Sequence, residues 1–440
     1  MMQNRVNKVL LISPAHDKIR ARREGKVAWY SRVFRYSQQL GLLYVASSFP
    51  QDIDVRIIDE SVEPIDFNAA VDLVGISCMT VQTTRAYDIA DQFRAEGLKV
   101  ILGGFHPTFM PEEAIKHADA VCVGEAENII PVMIEDYLAG KMNGIYRGEL
   151  VDLRKLPVPD RTKIKGYAYF TDSILTTRGC EHECHYCSES LFFRHKQRIR
   201  PLDSIVNEMH NLGKNLLFLD SNIIANRPFA VQLFNVMKQL GKRWASQCSI
   251  EIANDTGLLE LAAKSGCMGI FIGFESLSQK NLYAFNKEFN VPSRFDEMIK
   301  KIHGYGIGIL ASFMFGMDDD NEGVFDETLE FLDRNRIEAL NALIMTPCPG
   351  TRLYEQMDRQ GRITNKNWHE YDFHHVIFKP ICMEPEELQA GADRVLREFY
   401  STSRVIKRIM NASHLSLESV MKSVLPVNLT YWHNLLRDIG

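Results

Sequence analysis

Three thiols stand within eight positions in Thr177-Arg178-Gly179-Cys180-Glu181-His182-Glu183-Cys184-His185-Tyr186-Cys187. Thiolates are soft ligands, and a Cys-x3-Cys-x2-Cys run brings three of them to one face of a short loop. Three, rather than four, is the informative number. A structural zinc site closes a tetrahedron of Cys and His, whereas a four-iron cluster on three cysteines leaves one iron open to a ligand. Three readings stand: unreactive buried cysteines, a zinc site completed by His182 or His185, and an open cluster. No second Cys pair and no His-x3-His follows at finger spacing, which favours the cluster.

A thiol loop needs a rigid base, and the flanking pattern supplies one. From Ser173 short apolar runs alternate with helical ones, predicting strands at 174–177, 216–220, 246–251, 269–275, 309–315 and 342–345. Six βα units are too few for a closed eight-stranded barrel but suit an open, TIM-like (β/α)6 partial barrel over 173–380. Sites of such barrels gather at the carboxyl ends of the strands. The cysteine loop follows the first strand, so the later strand ends should face its ligand. Asp220-Ser221-Asn222 ends one strand, Ser249 and Glu251 another, and Gly273-Phe274-Glu275-Ser276 a third. A carboxylate in apolar surroundings is costly unless paired, so each requires an ammonium, a ribose hydroxyl or an internal Lys or Arg.

Residues 1–150 read as a separate α/β unit. Strands are expected at 8–13, 55–59, 73–78, 99–102 and 120–123, with helices at 38–48, 83–95, 111–117 and 128–138. This alternation predicts a doubly wound, flavodoxin- or Rossmann-like sheet whose ligand lies beyond the strand ends. Small residues cluster there: Ser13, then Ser77 with Thr80 and Gln82, then Gly103-Gly104-Phe105-His106-Pro107, then Gly124-Glu125. Glycine at a strand end admits close approach of a ligand, although it also serves tight turns. No Gly-x-Gly-x-x-Gly follows the first strand, which lowers a nicotinamide or flavin reading.

The remaining segments set limits. A linker is expected at 151–172, with Pro157, Pro159 and Gly166, and a small helical region at 381–440. In the latter, helices are expected at 384–399 and 402–410. Arg404, Lys407 and Arg408 form a basic face beside Phe399, Tyr400, Val405 and Ile409, read as solvated or, alternatively, as a membrane-surface contact. The run from Leu425 to Trp432 is apolar enough to cap the barrel or a substrate cavity. A net charge of −5 gives no general attraction to nucleic acid, and no run of about 18 apolar residues predicts a transmembrane helix. Nine cysteines without a secretory leader point to a reducing cytoplasm.

Cys180-x3-Cys184-x2-Cys187, with Tyr186 before the last cysteine, resembles the motif of the radical S-adenosylmethionine (SAM) enzymes. Upstream, Val74-Gly75-Ile76-Ser77, Gly103-Gly104-Phe105-His106-Pro107-Thr108 and Val123-Gly124-Glu125-Ala126-Glu127 occur in the order seen in the cobalamin-binding class of that family, class B. The resemblance implies a [4Fe–4S] cluster on Cys180, Cys184 and Cys187. It implies SAM beside Tyr186, Asp220 at the methionyl amine, Ser249, Glu251, Glu275 at the ribose, and the Met314–Gly316 backbone at the adenine. Cobalamin would lie against Ser13, Ser77, Thr80, Gln82, Gly103, Gly104, His106, Gly124 and Glu125.

The implied chemistry is reductive cleavage of SAM to a 5′-deoxyadenosyl radical, fed by an external flavodoxin- or ferredoxin-type donor, and methyl transfer from methylcobalamin to an unactivated sp3 carbon of a lipid, tetrapyrrole or natural product. Radical chemistry without methyl transfer, and a redox or cobalamin sensor, are the alternatives. Two departures stand out. The Asp-x-His-x-x-Gly that supplies a cobalt-ligating histidine in methionine-synthase-like domains is absent, so cobalt is expected without a protein histidine below it. The Pro-x-Pro-Gly-Thr turn carries Cys348 where an aromatic is common, read as a buried inert thiol.

Overall fold

The computed structural model describes residues 6–16, 39–164 and 171–437. Gly166 of the expected linker and Gln38 of an expected helix lie outside them. The first domain is a parallel sheet of β1 (Lys8–Ser13), β2 (Asp54–Asp59), β3 (Leu73–Ser77), β4 (Lys99–Gly103), β5 (Ala120–Val123) and β6 (Gly144–Arg147). Their order is β2-β1-β3-β4-β5-β6. Continuous apolar runs such as Val9-Leu10-Leu11-Ile12 need cover on both faces. Leu40–Ala46 and Ile130–Leu138 cover one face, and Thr83–Ala95 the other. The sixth strand was not expected: its Gly-Ile-Tyr-Arg is only half-buried at the sheet edge and lacks an apolar run.

The linker is a packed strap. Asp152 and Asp160 cap two short 3-10 turns, and Leu153, Leu156 and Ile164 are buried in the first domain's core.

The second sheet holds β7 (Asp172–Ile174), β10 (Asn215–Phe218), β11 (Arg243–Gln247), β12 (Cys267–Glu275), β13 (Gly308–Phe315) and β14 (Ala339–Ile344), all parallel. They run in the order β14-β13-β12-β11-β10-β7, the six-stranded open barrel that the alternation predicted. The first expected strand is divided. After β7 the chain bends at Thr176 and forms β8 (Thr177–Arg178), antiparallel to β9 (Arg198–Ile199), so a two-stranded ribbon carries the cysteine loop. The strand expected at 246–251 ends at Gln247, because Ile250–Asn254 winds into a 3-10 turn. Outer helices bury one apolar stripe each: Arg227–Leu240 presents Phe229, Ala230, Leu233, Phe234 and Met237, and Phe234 stacks on Trp244 of β11 at 4.9 Å.

Helix Pro385–Phe399 packs along β14, followed by Thr402–Asn411 and Leu425–Arg437. The last helix seals the end of the barrel away from the cysteines. Asn428 Nδ2 donates to Glu338 O, just before β14, at 2.9 Å, and Tyr431 stacks on Tyr400 at 4.7 Å. The expected basic face is divided: Lys407 is exposed, while Arg404 and Arg408 are half-buried. Arg408 lies 3.6 Å over the Phe399 ring and donates to Phe399 O, while Arg404 sits between Asp333 and Glu398. Among the described residues no helix is long and apolar enough to cross a membrane.

Candidate active site

The cysteine loop is fixed by its backbone. Gly179 has φ +85°, and a side chain there would run into Lys196 O and Phe193 Cβ, so the entry to the loop requires glycine. Cys187 N donates to Cys184 O, Ser190 N approaches Cys187 Sγ at 3.5 Å, and the Ser190 hydroxyl donates to His182 O and Cys180 O. From across the barrel, Phe285 O accepts from His185 N, and His185 O accepts from Leu353 N. All three thiols are free and half-buried. Burial pushes Cys187 up to about 12 and raises Cys180 and Cys184. Thiols held this way ionise when a cation compensates them, which is the donor set a cluster needs. His182 instead stacks on Phe289 at 4.2 Å, and His185 Nε2 lies 3.3 Å from Arg352.

Beside the loop, Glu275 receives Lys287 Nζ at 2.6 Å and the Tyr186 hydroxyl at 3.1 Å. A bulge at the end of β12 gives Glu275 φ +66°, a conformation that side chains rarely adopt and that turns its carboxylate onto Lys287. Burial opposes the charge on Lys287, but Glu275 together with the Cys184 and Cys187 thiols outweighs it, and its ammonium is held above the usual lysine range. Burial together with Glu275 raises the Tyr186 phenol. Lys287 carries no motif and was not singled out in the sequence. Its neighbour Asn286 ties this segment to the loop by donating to Glu183 O at 3.1 Å.

Asp220 and Glu251 differ in what they have left to offer. Asp220 is wholly buried and accepts from Thr176 N, Thr176 Oγ1, Thr177 N and Thr177 Oγ1. It thus holds the bend between β7 and β8, and the expected place at a methionyl amine meets a carboxylate already filled from within the chain. Burial pushes its carboxyl up against those four bonds. Ser249 Oγ donates to Glu251 Oε2 at 3.1 Å, and the Glu251 charge acts on His182 of the cysteine loop. Met314 is buried at the end of β13, and Gly316 follows with φ +91°. Asp320, unforeseen in the sequence, accepts from Gly316 N and Met317 N at 3.0 Å each and from Asn281 Nδ2 at 2.7 Å.

The two domains meet at the ribbon. Arg178 donates to Glu125 Oε1 and Glu127 Oε1, both at 2.6 Å, and Arg198 reaches Glu125 Oε2 at 2.6 Å. Beside these pairs lies a cavity of about 260 Å³, walled by Gly75, Ser77, Gly103, Gly104, Gly124 and Glu125 from the strand ends and by Arg178, Phe192 and Phe193 from the barrel. Its wall is mostly apolar side chains, among them Leu11, Leu40 and Leu73, with the strand-end glycines leaving room at its mouth, which fits a flat heteroaromatic group such as a cobalamin nucleotide tail.

Ser13, Thr80, Gln82 and His106 do not line the cavity. Gln82 uses both ends of its amide on Pro14 O and Met79 N. His106 is fully buried, with Nε2 3.3 Å from Glu113, whose same oxygen accepts from Trp368 Nε1 at 2.8 Å. It therefore lies in a second contact between the domains. Cys348 is buried and pushed up to about 12, the inert thiol expected.

Comparison with known proteins agrees with this geometry. The B12 binding domain model matches residues 32–134, and the Radical SAM superfamily model matches 174–332. The chain is 32% identical to bacteriochlorophyllide d C-12(1)-methyltransferase of Chlorobaculum tepidum, over 85% of each chain. It is 28% identical to bacteriochlorophyllide d C-8(2)-methyltransferase of the same organism, over 85% of this chain and 88% of that one. Its fold is similar to that of the radical SAM methyltransferase TsrM from Kitasatospora setae, solved with cobalamin and a [4Fe–4S] cluster, with TM-score 0.66, 15% identity, and 88% and 85% coverage. An open three-cysteine loop, a glycine-walled cavity beside it and these matches along both domains make the chain a member of the cobalamin-dependent radical SAM enzyme family.

Proposed function

We propose that the enzyme transfers a methyl group to an unactivated sp3 carbon of a tetrapyrrole. The observation that carries the reading is Arg178, which stands two residues before Cys180 and also borders the glycine-walled cavity. One side chain thus joins the cluster loop to the cavity proposed for cobalamin. Bound together, the cluster and SAM supply a carbon radical and cobalamin supplies the methyl group. The chain's own part is placement: Cys180, Cys184 and Cys187 hold iron, and the Tyr186–Glu275–Lys287 triad sets the polar wall beside it. Glu251 and Ser249 offer acceptors, and the backbone at Met314–Gly316 offers a flat edge for adenine. The two bacteriochlorophyllide relatives support the substrate class. An external low-potential donor of flavodoxin or ferredoxin type provides the electron.

The test is product stoichiometry. Anaerobically reconstituted protein with cobalamin, SAM, reductant and a bacteriochlorophyllide substrate should form 5′-deoxyadenosine and S-adenosylhomocysteine in near-equal, substrate-dependent amounts. Substrate-dependent 5′-deoxyadenosine without S-adenosylhomocysteine would replace methyl transfer with radical chemistry of another outcome.

A further inference from the structure

At the end of the barrel opposite the cysteines, three potential metal ligands converge that no part of the radical chemistry uses. His303 comes from helix Phe295–Gly304, Glu338 from the residue before β14, and His414 from the segment after helix Thr402–Asn411. One ligand atom from each lies within 4.8 Å of the other two. His414 Nε2 is 2.7 Å from Glu338 Oε1, His303 Nε2 is 3.4 Å from Glu338 Oε2, and the imidazole centroids are 4.2 Å apart. Glu338 is 3% exposed and also accepts from Ile309 N at 2.7 Å. His303 Nε2 is buried without a hydrogen-bond partner among the described residues.

A carboxylate can accept from each imidazole, yet at 3.4 Å the contact of His303 Nε2 with Glu338 is long and weak, and a buried polar nitrogen poorly matched is costly. A tetrahedral ion with bonds of about 2.0–2.2 Å separates its ligand atoms by about 3.3–3.6 Å, so the existing spacing closes on an ion with shifts of under about 1 Å. Two imidazoles and one carboxylate are a borderline set that favours zinc over magnesium or calcium, with water in the fourth position. Lys300, Arg334 and Arg336 line the pocket beside the two histidines, and Asp296, which is paired with Arg334 at 3.0 Å, tempers their repulsion of a cation.

We propose that His303, Glu338 and His414 form a binding site for a divalent transition metal of the zinc class. The ion would fasten the C-terminal segment to the barrel. His414 lies next to Leu415, which packs with Ala412 and Val424 in a small separate apolar cluster, so a ligand bond there would add to the Asn428 and Tyr431 contacts in tying this segment to the barrel.

The experiment is zinc uptake by the full chain, measured by elemental analysis after equilibrium dialysis and desalting. The cysteine loop is a competing site, so uptake is compared between the cluster-loaded wild type and a Cys180→Ala/Cys184→Ala/Cys187→Ala variant. One zinc per chain is expected in both, with a higher melting temperature in zinc than in chelator. His303→Ala and His414→Gln should each abolish the uptake and the shift. No zinc on the cluster-loaded wild type overturns the proposal, as does zinc that disappears with the cysteines or persists in the folded histidine variants. Should the histidine variants fail to fold, the comparison of wild type with the cysteine variant still decides.

Discussion

Arg178 and Glu125 are 53 residues apart in sequence and 2.6 Å apart in space, and their contact sits two residues before the first cysteine of the loop. Glu125 takes Arg178 on one carboxylate oxygen and Arg198 and Val151 N on the other, so the carboxylate is fully engaged. Arg178 is itself buried and divides its guanidinium between Glu125 and Glu127, which hold it above its ordinary range against burial. A planar fork with fixed donors suits this double pairing. Domain docking and cluster placement therefore share one side chain.

Arg178→Ala should be severe, because it leaves Glu125 and Glu127 buried with less compensation. Removing one partner of a buried ion pair costs about 3–5 kcal/mol. Denaturant unfolding of the wild type and variant measures that loss, and equilibrium dialysis should show weaker cobalamin retention. Unchanged values for both would separate the ion pair from docking.

The Lys287–Glu275 pair gives a second expectation. Lys287→Met should lower stability by about 3 kcal/mol, since Glu275 is left buried, while adding Glu275→Gln to Lys287→Met should recover part of that loss. A double-mutant cycle by denaturant unfolding reads the coupling. Additive losses would mean that the 2.6 Å contact carries no net interaction.

Gly316→Ala should cost about 1–3 kcal/mol through its positive φ. A Cβ there would also meet Leu388 Cδ2 at 2.6 Å and Phe378 Cζ at 2.9 Å. Because the same turn is proposed for adenine, the variant should also raise the KM for SAM, measured by 5′-deoxyadenosine formation. A loss of stability with unchanged KM would place adenine elsewhere.

Asp320 sets a pH dependence. Burial pushes its carboxyl up to about 7, although Met317 N, Gly316 N and Asn281 favour the ionised form. The native state then binds a proton that the unfolded chain has released, so this group's contribution to stability falls as pH rises from the unfolded value and levels off above the folded one. Asp320→Asn removes the titration. The stability of wild type relative to Asp320→Asn should therefore decline between about pH 4 and about 7 and be flat by about pH 8, as followed by denaturant unfolding. A difference that rises across that window would show that the hydrogen bonds outweigh burial.

What the sequence determined is local. β1 and β5 have the expected bounds, and the six barrel strands follow from apolar runs whose period depends only on neighbouring residues. The three cysteines were legible for the same reason: their spacing alone brings them to one loop. Residues without such a pattern were not. β6 is half-exposed and lacks an apolar run, and β8 and β9 are two residues each, so neither carried enough periodicity to be seen.

Tertiary structure decided what each polar residue pairs with. Asp220 reads from sequence as a carboxylate at a strand end in need of a partner, and only the fold shows Thr176 and Thr177 filling it. Glu125 reads as part of a cofactor loop, and only the fold shows that it borders the cavity while Arg178 and Arg198 sit on its two oxygens. Lys287 had no motif at all, and its role arises because a bulge at Glu275 turns that carboxylate toward it. Chemistry follows residue type, which the sequence spells out; pairing follows distance between segments far apart in the chain, and packing of the two sheets sets that distance.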